Sequence, residues 1–88
     1  MHYRIAPDAA CAPLDGGAVV LHMGTKRYYS LNETGLLVWQ LLEQGATRED
    51  AVSGLVERYV VTASEASASV MDLLAELLAE GLITEHIA

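Results

Sequence analysis

Arg27-Tyr28-Tyr29-Ser30-Leu31-Asn32-Glu33-Thr34-Gly35-Leu36, running on to Val38-Trp39-Gln40-Leu41-Leu42, reads as a short strand that turns directly into a helix. Tyr28, Tyr29 and Leu31 suit a strand by residue type. Asn32 suits an N-cap, because its side-chain oxygen accepts from the free N–H groups of a first helical turn. Leu31 precedes that cap and Leu36 takes the fourth helical position, the spacing of a hydrophobic staple. The angle between strand and helix is therefore written into the residues themselves. Before this joint the chain reads as sheet, and after it as helix. If the strand ending here is an edge, its free backbone groups offer a place for another peptide to dock.

Upstream of the joint, residues 18–23 form the clearest strand, and Val19, Val20 and Leu21 in a row predict burial on both faces. Asp15-Gly16-Gly17 is a strong turn signal. Ala9–Leu14 is a weaker strand whose Pro13 lacks an N–H and suits an edge. Gly24-Thr25-Lys26 makes a second turn, into a strand at about residues 27–31. The expectation is a three-stranded antiparallel meander over about residues 9–31, with its third strand an edge. Residues 2–7 are a lead-in with a short strand at residues 3–5.

Downstream, residues 33–43 carry Leu36, Leu37, Val38, Trp39, Leu41 and Leu42, apolar almost all round, as a central helix is. Trp39 reads as core. Gly45 ends this helix as a left-handed cap. Thr47 caps a second helix over residues 48–58, with Glu49 and Asp50 in its positive-end first turn. Its apolar stripe is Val52, Leu55, Val56 and Tyr59. Thr62 and Glu65 have capping-box spacing ahead of a third helix over residues 63–80, which Gly81 stops. Leu82 and Ile83 then fold back onto the core. The third helix bears two neighbouring stripes: Ala66, Val70, Leu73 and Leu77, and Ser67, Met71, Leu74 and Leu78. At about 100° per residue the apolar arc spans roughly 160°, wider than one packing contact needs. Periodicity leaves two readings open: both stripes are core, or one is core and the other lines a groove. A helix-turn-helix after a first helix, joined to a preceding sheet, gives an α+β domain of winged helix-turn-helix type, an N-terminal three-stranded antiparallel sheet followed by three helices.

The 88 residues amount to one small domain. A hydrophobic content of 52% excludes a disordered acidic tail. No long uncharged apolar run marks a membrane span, and the start, Met1-His2-Tyr3-Arg4, lacks the apolar region of a signal peptide. One cysteine, Cys11, makes no internal disulfide, which points to the cytoplasm. The net charge of −7 is unevenly placed. Residues 1–31 hold Arg4, Lys26 and Arg27 against Asp8 and Asp15, a net of +1, whereas residues 32–88 hold ten acids against Arg48 and Arg58, a net of −8. An acidic helical half repels phosphate backbones and favours a basic partner; it also simply keeps a small protein soluble.

Catalytic chemistry finds no foothold. His2, His22 and His86 lie at no metal-ligand spacing from one another or from Cys11. The carboxylates Glu43, Glu49, Asp50, Glu57, Glu65, Asp72, Glu76 and Glu80 are spread over helix surfaces as a solvated face. Gly16-Gly17 is a hairpin turn and Gly35 opens a helix, so no phosphate loop exists. The reading is a protein that is no enzyme, with no metal and no cofactor. Winged helices also bind DNA, but a recognition helix needs basic or amide residues at its start, and Ala63-Ser64-Glu65-Ala66-Ser67-Ala68-Ser69 opens the third helix with none. Nucleic acid and membrane are therefore not the expected partners.

The residues so assembled resemble a known family. Tyr28-Tyr29-Ser30-Leu31-Asn32-Glu33-Thr34-Gly35 with Val38-Trp39-Gln40-Leu41-Leu42 looks like the signature of PqqD-like proteins. So does the closing Val70, Leu73-Leu74-Ala75-Glu76-Leu77 and Gly81-Leu82-Ile83. The resemblance covers about residues 3–84, and the first motif is the more specific one. These domains are recognition elements of ribosomally made, post-translationally modified peptides. The Tyr-Tyr-Ser-Leu-Asn-Glu version, as a short free-standing chain, most resembles the leader-binding protein of lasso-peptide biosynthesis.

The resemblance implies a single PqqD-like peptide-recognition domain over residues 1–88 and a mechanism. A precursor's leader adds as a further strand to the third strand's edge, and its apolar side chains enter a cleft between that strand and the third helix. The protein then delivers the precursor to a leader peptidase, a cysteine protease, and to an ATP-dependent cyclase. Carried onto this sequence, the edge is Arg27, Tyr28, Tyr29 and Ser30, and the cleft wall is Ser67, Val70, Met71, Leu74 and Leu78. Asp72 and Glu76 are offered as partners for a basic leader residue. Relatives often carry an acid just before the valine and a phenylalanine three residues after it; here Ser69 and Leu73 stand there. The helix's rotation is not given by the sequence, and the other stripe supplies Leu73 and Leu77 as replacements. Alternatives are the same module serving a radical enzyme in pyrroloquinoline quinone or another peptide pathway, a winged-helix DNA-binding regulator, and a structural adaptor whose edge makes a homodimer. The expected state is a monomer or weak homodimer.

Overall fold

A computed structural model describes residues 2–86, so that Met1, Ile87 and Ala88 of the expected 1–88 unit lie outside it. In chain order the elements are β1 (His2–Ile5), β2 (Ala9–Leu14), β3 (Gly17–His22), β4 (Tyr28–Asn32), α1 (Glu33–Glu43), α2 (Arg48–Arg58), α3 (Ala63–Ala79) and β5 (Ile83–His86). The strand expected as third in the meander is thus β4. At the joint between β4 and α1, Asn32 Oδ1 accepts from the Gly35 N–H at 2.8 Å. Capping boxes open both later helices, Thr47 with Asp50 and Thr62 with Glu65. A cap of this kind contributes about 1 kcal/mol to its helix. Gly81, at φ 71°, takes the left-handed conformation that ends α3 and returns the chain to the sheet side.

The main sheet has the order β2-β3-β4, antiparallel throughout. Its register places Val20 across from both Cys11 and Tyr29, and Ala18 across from Leu31. Gly17 lies so close to β4 that a Cβ there would run into the Leu31 carbonyl oxygen. Ala18, Val20 and Leu31 face inward with Val38, Trp39 and Leu42 of α1, Ala51 and Leu55 of α2, and Ala66, Val70, Leu74 and Leu77 of α3. Trp39 is core as expected, 1% exposed. The result is an α+β fold of winged helix-turn-helix type.

Two expectations need correction. Val19, Val20 and Leu21 are not buried on both faces: Val20 is enclosed, but Leu21 on the opposite face is 38% exposed. The helices cover only one side of the sheet, so β3 follows the alternation of a half-buried strand. The ends of the chain also do more than lead in and fold back. β1 and β5 pair antiparallel as a second, two-stranded sheet, with Tyr3 across from Glu85 and Ile5 across from Ile83. Tyr3, Leu82 and Ile83 thereby join the core. Burial, aided by the nearby Glu85 carboxylate, pushes the Tyr3 hydroxyl up from its ordinary pKa.

Candidate functional site

The hydrogen bonds at the β3–β4 turn fix which backbone groups of β4 are free. The His22 N–H donates to the Arg27 carbonyl at 2.8 Å, while the next residue, Met23, donates to Asp8 at the β2 side, also at 2.8 Å. In an antiparallel pair the bonded positions recur every second residue. With Val20 across from Tyr29 and Ala18 across from Leu31, it is Tyr29 and Leu31 that spend their N–H and C=O groups on β3. Tyr28 and Ser30 point theirs away from the sheet. Both are exposed, and no strand lies beyond them among the described residues. The edge is therefore unpaired, with one donor and one acceptor at each of two positions.

Beside this edge lies an open cleft of about 610 Å³. Its β4 wall is Tyr29, Ser30, Leu31 and Asn32, and its α3 wall is Ser69, Val70, Asp72, Leu73 and Glu76; Val38 and Leu55 also line it. Near one end two contacts tie the walls together. The Tyr29 hydroxyl donates to Glu76 Oε2, and Arg27 Nη2 meets Glu80 Oε2 at 3.3 Å. Arg27 is largely exposed, so the ion pair adds little to stability.

The structure separates the expected site residues by what surrounds them. Tyr28, Tyr29 and Ser30 lie in β4 and Arg27 immediately precedes it, while Val70, Asp72 and Glu76 line the cleft. Leu74 does not line it and belongs to the core below. Ser67 and Met71 line a separate groove of about 420 Å³ on the α2 side, with Arg48, Glu49, Val52 and Ser53. Leu78 packs against the core and lines neither depression. The physical reason is helix rotation: at 3.6 residues per turn, positions 67, 71 and 78 fall on the far flank of the buried positions 66, 70, 74 and 77. Of the two replacements, Leu73 lines the cleft and Leu77 is core. Ser69, Thr34, Val38 and Leu55 went unpredicted. One signal was present, because Glu76 and Glu80 are the α3 residues that Tyr29 and Arg27 meet, and that acidic flank is the one turned to β4.

Burial, with the Glu43 charge added, pushes the Cys11 thiol up, away from thiolate. Among the described residues no cluster of His, Cys, Asp and Glu is placed to hold a metal ion, and no helix is long and apolar enough to cross a membrane. What the arrangement offers is a strand's worth of backbone hydrogen bonds above an apolar floor, with carboxylates on one wall.

Solved structures share this arrangement of elements. A structure described as TbiB1 in complex with the TbiA(beta) leader peptide matches with a TM-score of 0.87 and 27% identity, over 97% of this chain and 99% of its own. A lasso peptide synthetase B1 complexed with the leader peptide matches with a TM-score of 0.85 and 28% identity, over 94% of this chain and 98% of its own. No curated protein sequence matches the chain. The family model of coenzyme PQQ synthesis protein D (PqqD) matches residues 17–83, from the first residue of β3 to the first of β5. The open β4 edge, the strand–cap–helix joint and α3 all fall within that span, and the chain belongs to the PqqD family.

Proposed function

We propose that this protein is a single, non-catalytic recognition module for the leader region of a ribosomally made precursor peptide. The leader adds as a strand on the free edge of β4, through the backbone groups of Tyr28 and Ser30, and sets alternate side chains into the cleft against α3. Ser69, Val70, Leu73, Val38 and Leu55 receive its apolar side chains. The module then presents the precursor, in the cytoplasm, to a cysteine protease that removes the leader and to an ATP-dependent cyclase. The observation that carries this reading is the unpaired, two-position edge standing directly over a cleft. The two similar structures, each with its leader peptide, support it.

A second reading, delivery to a radical enzyme as in pyrroloquinoline quinone synthesis, is favoured by the family description. The lasso proteins nevertheless match nearly the whole chain and the family model a shorter span, so the lasso pathway stands first. The test is an amide NMR titration with a lasso leader peptide, a pyrroloquinoline quinone precursor and a DNA duplex in parallel. Shifts at Tyr28 to Leu31 and at Ser69 to Glu76 with the lasso leader are expected. Shifts with the duplex alone would remove the peptide-binding reading, and shifts with the quinone precursor alone would move the protein to the second pathway.

A further inference from the structure

The acids of α3 stand in step with β4. Asp72, Glu76 and Glu80 recur every four residues, about 6 Å apart along the helix. Arg27, Tyr29 and Leu31 recur every two residues on one face of the strand layer, about 6.6 Å apart. The first two rungs of this ladder are filled: Arg27 meets Glu80, and the Tyr29 hydroxyl meets Glu76. Because α3 runs antiparallel to β4 along these contacts, the third rung sets Asp72 at the level of Leu31. Leu31 is buried and apolar and has nothing to give a carboxylate. Asp72 has no hydrogen bond from a side chain and no ion pair among the described residues, yet it lines the cleft. Like charges four apart on a helix repel, at a cost of a few tenths of a kcal/mol per pair. The chain relieves one end of this row with its own arginine and leaves Asp72 to be met from outside.

The strand that would meet it is the one added to β4. Tyr28 and Ser30 make the backbone bonds, so an added residue across from Leu31 turns its side chain to the α3 side, in either strand direction. We infer that Asp72 is a specificity-determining residue of the cleft and takes the charge of a Lys or Arg that the bound strand carries across from Leu31. Arg27 with Glu80 is the same interaction made within the chain two rungs away. The inference rests on the leader-binding reading and names the residue chemistry that the cleft selects.

Selection from a random 12-residue peptide library on the full chain tests it, with D72N and D72K as paired baits. Asp72 is exposed, so both variants keep the core, and circular dichroism checks this. The wild type is expected to enrich peptides with Lys or Arg at one fixed position, D72N to lose that preference, and D72K to exchange it for Asp or Glu. In a selected peptide, Lys or Arg to Gln should weaken binding to the wild type about tenfold and to D72N less than about twofold. Selected peptides that shift the Tyr28 and Ser30 amides but show no basic position, or the same basic preference with D72N, overturn the inference and leave strand addition standing. A selection whose peptides never touch those amides overturns strand addition and the inference together.

Discussion

The two edges of the main sheet differ in a way that assigns their roles. On β4 the outward groups belong to Tyr28 and Ser30, and both positions have an N–H to give. On β2 the bonded positions follow from the Met23 to Asp8 contact; Ala10, Ala12 and Leu14 face β3, and Ala9, Cys11 and Pro13 face outward. Pro13 has no N–H, so this edge is interrupted where a second chain would need a donor. The β4 edge also has α3 across a cleft from it, lined by side chains of both elements. One sheet thus carries a blunted edge and an open edge, and a proline is a large part of the difference.

The strongest way to break the comparison is to make β4 like β2. Ser30→Pro removes the outward N–H and spares the bonds to β3, which Tyr29 and Leu31 make. Leader affinity is expected to fall about a hundredfold, because a backbone bond and the close approach of the strand are both lost. Ser30→Ala, which keeps the N–H, should stay within about twofold. Calorimetric titration of both variants decides it, and a Ser30→Pro protein that is folded and binds as the wild type does would mean that the leader uses another edge. A smaller effect separates the cleft from the groove on the other flank of α3. Leu73→Ala should weaken the leader about tenfold through lost apolar contact, while Met71→Ala, 51% exposed in the α2 groove, should leave affinity unchanged. Equal losses in the two would move the site across the helix.

The sequence carried the edge and not the rotation of α3, for physical reasons. Asn32, Thr47, Thr62, Gly45 and Gly81 are local signals: each acts on backbone groups within a few residues, so caps and turns, and with them the helix boundaries, were legible. The β4 edge followed from the order of turns. The rotation of α3 depends on what lies on each side, and its apolar arc spans cleft, core and groove. Leu73, Leu74 and Met71 look alike in the sequence and differ only in what surrounds them. β5 was unread for a related reason. Its partner β1 lies at the other end of the chain, with His2 across from His86, and four residues without a turn between them leave no hairpin pattern to find. The acidic flank of α3 was the one long-range clue, since Arg27 and Tyr29 find their acceptors there.

A gentler change sharpens the comparison from the other side. Pro13→Thr gives the β2 edge an outward donor while leaving its bonded positions alone. Sedimentation at rising concentration is expected to show weak self-association in this variant beyond any in the wild type. An unchanged profile would mean that Pro13 does not guard that edge.

The smallest expected effect concerns the cap of α3, the helix that forms the far wall of the cleft beside β4. Thr62 and Glu65 bond each other's backbone N–H groups, at 3.1 Å to the Glu65 carboxylate and 3.0 Å to the Thr62 hydroxyl. The backbone hydrogen bond from Thr62 holds the Glu65 carboxyl below its ordinary range. A folded-state pKa below the unfolded value means that the ionised form favours the folded state. The stabilisation is therefore complete above the unfolded carboxylate value of about 4.3, and it drains away as pH falls from there through the lower folded value. Glu65→Gln keeps the shape of the box without the charge. The Tm advantage of the wild type over this variant should be present at neutral pH and shrink through the acid range. The seating of α3 along the cleft weakens with it, so leader affinity should follow the same direction, whereas the blunted β2 edge, which has no helix across a cleft from it, should show no such dependence. A Tm difference flat from neutral to acid pH would show that the carboxylate's charge adds nothing to the cap, and that the box holds α3 by its hydrogen-bond geometry alone.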